Sequence, residues 1–290
     1  MKLLISVITV ILLAAGHVSA QAKSFLWEVK TDKAVVYLLG SIHMATKGMY
    51  PLDGAIEQAF NASDKLVVEV NIAESDKVNV QNILLNKAIY KGGETLNDNL
   101  SDKTKSLLQA FLQEHQLSYF SIAKLNPAMA AISLTIMRMM QLGFSPELGI
   151  DLHFINKAQD LNKPILQLES EEEQLNLLLN IPNKELFLHY TLTSLSDLGN
   201  MVNELVGAWE SGDTEKMNKL MLEEPLHDYP DFEPLFKQLF TDRNIKMTKK
   251  IKNYLKTNQT YFVVAGAGHM VGEQGIVALL EKAGYVVKQL

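Results

Sequence analysis

The chain has 290 residues, of which 47% are hydrophobic and 21% charged, and this balance excludes collagen-like, coiled-coil and broadly disordered proteins. Its formal net charge of -6 argues against a nucleic-acid-binding protein, which normally carries a basic patch. The chain has no cysteine, so disulfide scaffolds, thiol catalysis and zinc–thiolate sites are excluded. Any metal would have to be held by His, Asp, Glu or backbone oxygen atoms.

Residues 1–22 have the pattern of a cleaved export signal. Met1-Lys2 supplies a positive start, a mostly apolar run follows, and small residues stand at Val18, Ala20 and Ala22. This pattern predicts cleavage after Ala20 or Ala22, and the alternative is an uncleaved membrane anchor. Because the apolar run is too short for a comfortable membrane span, we expect a periplasmic or secreted protein with no stable membrane anchor after cleavage.

The mature chain begins with strand-like patterns. Phe25 to Val29 and Ala34 to Leu39 are apolar runs around a short polar turn, which predicts a β-hairpin. A short helix is expected over Leu52 to Phe60. It is followed by a strand rich in β-branched residues from Lys65 to Val70.

Residues 73–256 form a mostly helical insertion by their periodicity, with Asn126-Pro127 and Ser170-Glu171 typical of helix starts. Pro164 to Leu168 is a strand candidate inside this insertion. The carboxyl-terminal part returns to strand, helix and strand, over Thr260 to Ala265, Gly272 to Ala283 and Tyr285 to Gln289. No low-complexity linker divides the chain, so we expect a single domain over residues 23–290.

The two ends of the mature chain carry the same motif. One strand ends in Gly40-Ser41-Ile42-His43 and another ends in Gly266-Ala267-Gly268-His269, and each is followed by a helix and a second strand. Such units make parallel strands and place each His at a strand's carboxyl end, where open parallel sheets bind ligands. The predicted fold class is therefore α/β, with a mixed central sheet built from two such units and a large helical insertion.

Glu69 lies in the second strand of the first unit, where the second unit has Lys288. A Glu in an apolar strand costs free energy to bury unless it is paired or binds a metal. The alternative is that Glu69 alternates out to solvent, but its flanking valines favour burial on both faces. We therefore predict His43, Glu69 and His269 as site residues.

At these motifs the sequence resembles the TraB/PrgY/GumN family, whose animal relatives are the Tiki proteins. The resemblance runs from Trp27 to Leu290, and a signal without a membrane segment is similar to the GumN branch. Besides the two Gly-x-x-His motifs, it rests on Tyr50-Pro51-Leu52, Leu66 to Val70, Gly149-Ile150-Asp151, Lys163-Pro164-Ile165, Leu168-Glu169, Gln174, Trp209, Gly212-Asp213 and Arg243-Asn244.

The resemblance implies an α/β fold related to erythromycin esterases and the haem-uptake protein ChaN. Its Tiki branch implies a peptidase that depends on a divalent metal, manganese or cobalt, and trims N-terminal residues from a protein ligand. Carried over to this sequence, His43, Glu69 and His269 become the metal or proton-transfer centre, with Arg243 close by. The PrgY and TraB members are linked to shutting down peptide pheromones, by binding or by cleavage.

Two imidazoles and a carboxylate suit a borderline or hard metal with open positions, which would activate a bound water. Asp151 or Glu169 could hold one imidazole from behind. Arg243 could bind a substrate carboxylate or a developing oxyanion, or it could form an ion pair that caps a helix.

Three functions stay open at this point. The leading one is an exported metal-dependent hydrolase, a peptidase acting on peptides or protein N-termini. The second is a metal-free, esterase-like hydrolase in which a His is the general base and Glu69 assists. The third is a non-catalytic protein that binds and sequesters a peptide. The expected partner is a peptide or protein, and no nucleic acid.

Overall fold

The structure is a computed structural model that describes residues 23–290. Its first element is the amino-terminal hairpin. The predicted signal segment lies outside the described residues. Strands β1 (Leu26–Lys30) and β2 (Val35–Ser41) pair antiparallel, as predicted. Thr31 closes the turn, because its backbone N–H donates to the Ala34 carbonyl at 2.9 Å and its hydroxyl oxygen accepts from the Ala34 N–H at 3.0 Å.

Residues 23–290 contain one mixed sheet of six strands, of which β1 and β2 are two. The remaining strands are β3 (Lys65–Val68), β4 (Ile165–Gln167), β5 (Thr260–Gly266) and β6 (Val287–Gln289). Their order across the sheet is β4-β3-β5-β2-β1-β6, and only β1 runs antiparallel to its neighbours. The α/β class with a mixed sheet is confirmed, and β2, β3 and β5 all end at one edge of the sheet.

The two strand–helix–strand units interleave rather than forming adjacent pairs. Strand β5 lies between β2 and β3, and β6 pairs with β1 instead of with β5. The register aligns Ser41 with Gly266, so the two Gly-x-x-His motifs begin side by side, one residue out of step. The terminal strands therefore meet across the insertion, as the sequence requires for one sheet.

Residues 23–290 also contain fourteen α-helices. They are α1 (Gly54–Asn61), α2 (Lys77–Lys87), α3 (Asp102–Glu114), α4 (Pro127–Gln141), α5 (Ile150–Asp160), α6 (Glu171–Leu179), α7 (Lys184–Ser194), α8 (Leu198–Glu210), α9 (Thr214–Asn218), α10 (Glu224–Asp228), α11 (Glu233–Phe236), α12 (Asp242–Tyr254), α13 (Ala267–Met270) and α14 (Ile276–Lys282). None of these helices combines the length and apolar character needed to cross a bilayer.

Both predicted helix starts in the insertion are present. The Asn126 side chain accepts from the Met129 N–H at 3.0 Å at the start of α4, where Pro127 takes the first helical position. Ser170 caps α6 in a reciprocal arrangement with Glu173. These caps fix where each helix begins.

The insertion has its own hydrophobic core but remains tied to the sheet. Helices α3, α4 and α7 pack around buried residues such as Leu108, Leu134 and Leu188. Strand β4, within the insertion, pairs with β3, and the pairing continues as the Glu169 N–H donates to the Glu69 carbonyl at 2.8 Å. This continuation brings Glu169 beside Glu69, the residue that follows β3.

Candidate active site

The first histidine is held at the end of β2 by the start of α5. Gly149 packs so tightly on the His43 carbonyl that a Cβ would overlap it, and the Ile150 N–H donates to the Ile42 carbonyl at 3.0 Å. This contact places Asp151 behind His43, with Oδ1 3.0 Å from Nδ1. A carboxylate only accepts, so Nδ1 carries the proton and Nε2 is the ring nitrogen left for the cavity.

The strand end before His43 is fixed from both sides. A Cβ at Gly40 would collide with the ring of Phe25, so this position needs glycine for close packing. Trp209 of α8 donates its indole N–H to the Gly40 carbonyl at 2.6 Å. The motif glycine and the tryptophan therefore set the path of the chain into His43.

Glu69 is buried, with 7% of its surface exposed, so the alternative that it faces solvent is wrong. Its Oε1 accepts the Gly266 N–H at 2.6 Å. Its Oε2 accepts from Arg243 Nη2 at 2.6 Å and from Gln174 Nε2 at 2.8 Å. Three donors from the sheet edge and from the helices of the insertion thus converge on one carboxylate.

The second histidine lies on α13, immediately after β5, and is 4% exposed. His269 Nδ1 lies 2.6 Å from Asn244 Oδ1, and Asn244 Nδ2 donates to the Gln274 carbonyl at 2.8 Å. The second bond fixes the amide orientation, so His269 Nδ1 is the donor. Its Nε2 then lies 3.8 Å from Glu69 Oε1 with its lone pair available.

The three side chains meet around Gly266. A Cβ placed on this glycine would lie 3.3 Å from Glu69 Oε1, 3.5 Å from His43 Nε2 and 3.6 Å from His269 Cδ2. The two imidazoles therefore share one pocket, as the paired motifs predict. Glycine at this position leaves a space between the three side chains that any larger residue would occupy.

Arg243 contacts Glu69 directly, and most of its N–H groups donate to carboxylates. Nε bonds to Glu169 at 2.9 Å, and Nη2 bonds to Glu169 at 2.7 Å in addition to Glu69. Nη1 donates to the Leu239 carbonyl at 3.1 Å, so one of the five guanidinium N–H groups is left. Of the two candidates for holding an imidazole, Asp151 does so, whereas Glu169 pairs with Arg243.

The electrostatics drive the protonation states of the cluster apart. Burial opposes ionisation of Glu69, but both imidazoles, Arg243 and the Gly266 N–H outweigh it and lower its pKa to about 2. Burial also lowers the pKa of His269 to about 4, although the negative charge of Glu69 acts to raise it. His269 is therefore neutral at pH 7, and the permanent charge of Arg243 is the more dependable support of the Glu69 carboxylate.

His43 has the opposite balance. Desolvation lowers its pKa, but the charge and hydrogen bond of Asp151, together with the charge of Glu69, raise it to about 9. Its side chain is 63% exposed and lines the cavity described below. The site therefore pairs one protonated imidazole with one neutral imidazole at pH 7.

A cavity of about 570 Å³ opens above the cluster. Its polar groups lie on the floor, whereas its walls are apolar and include Phe144, Leu177, Leu205, Val206, Met217, Met221, Leu239 and Phe240. Two walls come from π-helical turns, Lys219–Glu223 and Lys237–Thr241, a backbone form often found at functional sites. The cavity suits a ligand with a bulky apolar group and one polar point of reaction.

The donor chemistry of the floor fits the divalent metal that the resemblance implies. His43 Nε2, Glu69 Oε1 and the His269 ring surround the space at Gly266, and each imidazole is oriented through its Nδ1, which leaves Nε2 for a ligand, as in many metal-binding histidines. Within residues 23–290 no three His, Asp or Glu side chains stand close enough together to enclose an ion. These donors would have to close toward Gly266 to coordinate one.

Comparison with known proteins agrees with these motifs. The sequence profile of the TraB/PrgY/gumN family matches residues 25–289. The chain belongs to the TraB/PrgY/gumN family. It is 26% identical over 245 residues to YbaP of Escherichia coli strain K12, and equally to YbaP of Shigella flexneri, covering 84% of this chain and 87% of each relative.

A more distant relative carries a functional name. The chain is 35% identical over 101 residues to the metalloprotease TIKI homolog of Amphimedon queenslandica, which covers 34% of this chain and 16% of that protein. No solved structure matches the chain significantly.

Sequence reasoning missed the supporting roles of three groups. Asn244 and Gln174 were part of the family resemblance without a role, and here they orient His269 and bind Glu69. The Gly266 N–H is the third group, since it donates to Glu69. The sequence signal for these supporting roles was the adjacent pair Arg243-Asn244 at the start of α12. Its two polar side chains contact two members of the site, Glu69 and His269.

Proposed function

We propose that this protein is an exported, metal-dependent hydrolase that cleaves peptide bonds. The observation that carries the proposal is the convergence of His43 Nε2, Glu69 Oε1 and the His269 ring on the space at Gly266, with His269 Nε2 3.8 Å from Glu69 Oε1. Each imidazole is held through Nδ1 by its own partner, so its Nε2 is left for a ligand shared with Glu69. The apolar cavity above it would hold the substrate.

In this proposal His43, Glu69 and His269 hold a divalent cation, manganese or cobalt. A bound divalent metal would lower the pKa of a water molecule and polarise the scissile carbonyl. Asp151 keeps the proton of His43 on Nδ1, and thereby directs Nε2 into the site. Arg243 keeps Glu69 ionised rather than binding substrate, since its donors are nearly all used.

The substrate class follows from the cavity and from the relatives. Apolar walls favour a peptide with a bulky apolar side chain next to the scissile bond, because such a side chain is desolvated there at little cost. Similarity to a protein named as a metalloprotease supports peptide hydrolysis, although it spans 34% of this chain. A peptide or protein N-terminus is the substrate we propose.

A metal-free hydrolase is the second candidate, and one observation favours it. The environments push the two imidazoles to opposite states, with the pKa of His43 raised to about 9 and that of His269 lowered to about 4. A protonated and a neutral group on one substrate are the pattern of a general acid and a general base. In this version Glu69 stabilises the charge that forms on His269.

Three further expectations belong to the proposal. Residues 1–22 direct the protein to the periplasm or outside the cell, and residues 23–290 form one domain. The mixed sheet with its interleaved motifs is related to the erythromycin esterases and ChaN.

The deciding experiment is metal replacement with a peptide library. Protein stripped with a chelator is assayed on fluorogenic peptides with and without Mn²⁺ or Co²⁺, beside His43→Ala and His269→Ala. We expect cleavage only with metal, in the wild type but in neither of the two site variants. His227→Ala is the matched control, because His227 is exposed and does not line the cavity.

The alternatives predict other results. Cleavage that survives chelation but is lost in both site variants would support the metal-free hydrolase. Tight peptide binding without cleavage under any metal would overturn hydrolysis and support sequestration.

A further inference from the structure

Ser41, the last residue of β2, carries a buried hydroxyl that the cluster described above does not use. The residue is 3% exposed, and its Oγ has no hydrogen-bonding partner among residues 23–290. Buried polar atoms are almost always paired, because an unpaired one loses its hydration without compensation. The unpaired Ser41 hydroxyl therefore indicates that a bound ligand supplies its hydrogen-bond partner.

The sheet register directs this hydroxyl toward the reacting groups. Ser41 is aligned with Gly266 on the neighbouring parallel strand, and aligned residues project to the same face at about 4.8 Å spacing. The Cβ direction of Gly266 leads to Glu69 Oε1 and His43 Nε2. Ser41 also lines the same cavity.

The second copy of the motif shows that the fold does not need this hydroxyl. Ala267 occupies the position equivalent to Ser41 between the motif glycine and its histidine, and it is also buried. The motif therefore accepts a methyl group at this position, which in the second copy is the first residue of α13. The hydroxyl of Ser41 is thus an addition to the motif on the side that faces the cavity.

We propose that Ser41 is a catalytic residue whose hydroxyl donates a hydrogen bond to the scissile carbonyl oxygen of the bound peptide as that oxygen gains negative charge. This inference rests on the proposed hydrolase function. A donor role fits better than nucleophilic attack, since no imidazole or carboxylate lies within hydrogen-bonding distance of Oγ to take its proton.

The test compares Ser41→Ala with Thr248→Val. Thr248 of α12 is a matched control, because its hydroxyl is also buried and unpartnered in the described chain, yet it does not line the catalytic cavity. Both variants remove an orphan hydroxyl, so neither should lower the melting temperature. Turnover is measured with manganese on a fluorogenic peptide that carries leucine before the scissile bond, with Glu69→Gln as the inactive reference.

We expect kcat of Ser41→Ala to fall about 10²-fold with little change in KM, the usual effect of losing one donor to a developing oxyanion, whereas Thr248→Val keeps wild-type turnover. Wild-type kcat in Ser41→Ala, with Glu69→Gln inactive, would overturn the role of Ser41 and leave the hydrolase standing. An acyl adduct on Ser41 in the mass spectrum would overturn the donor role in favour of a nucleophile. An inactive wild type would instead reject the hydrolase itself.

Discussion

Replacing Glu69 by glutamine removes the one charge that all other groups of the site surround. Lowering a carboxyl pKa from 4.5 to about 2 corresponds to at most about 3 kcal/mol of stability, because part of the lowering comes from the charge of His269, which is neutral at pH 7. The sign follows from the depressed pKa: the stabilisation is present above pH 4.5 and is lost as pH falls toward 2. The glutamine also turns an amide N–H₂ toward donors on one side, so we expect a destabilised but folded protein.

The same substitution should abolish hydrolysis. Glutamine keeps the shape of Glu69 but neither binds a cation well nor supports a proton on His269, so turnover should fall at least about 10²-fold. Glu169→Gln is the control, because Glu169 shares Arg243 but lies outside the space at Gly266. It should weaken the ion pair with Arg243 and so lower stability, but it should keep most of the activity.

Urea denaturation and peptide turnover, measured on both variants, separate the structural from the chemical contribution. Full turnover in Glu69→Gln would refute the assignment of this carboxylate to the chemistry. An equal loss of activity in both glutamine variants would show that the ion-pair network, and not Glu69 itself, is what activity requires.

Three other predictions follow from the same contacts. In metal-free protein the stabilisation from protonated His43 is complete below pH 6.5 and is lost as pH rises through about 9, and Asp151→Asn should flatten this decline in denaturation curves recorded across that range. Gly266→Ala should fold, since its φ of -51° suits alanine, but turnover should drop about 10²-fold because the new methyl group enters the shared space; unchanged kcat would show that the space is not used. Mass spectrometry of exported protein should find a start at Gln21 or Lys23, and a chain that begins at Met1 would rule out signal cleavage.

Much of the local structure was predictable because short-range patterns determine it. The hairpin follows from two apolar runs around Thr31, and the start of α4 follows from Asn126 before a proline. The shared position of His43 and His269 also followed, because two equal strand-end motifs in one sheet must lie at one edge.

The strand order and the supporting partners were not predictable in the same way. The position of β5 between β2 and β3 depends on pairing between strands that are far apart in the chain. Local sequence patterns carry no information about such pairing. The bond from His269 to Asn244 and the apolar cavity walls likewise arise from tertiary packing of α12 and the π-helical turns. The burial of Glu69 was predicted from its valines, but its direct contact with Arg243 required the fold.

Anomalous diffraction from crystals grown with manganese would locate the proposed cation. We expect one manganese peak beside Gly266, with His43 Nε2, His269 Nε2 and Glu69 Oε1 as its protein ligands. Crystals that cleave peptide in the presence of manganese, but show no peak at these three atoms, would contradict it.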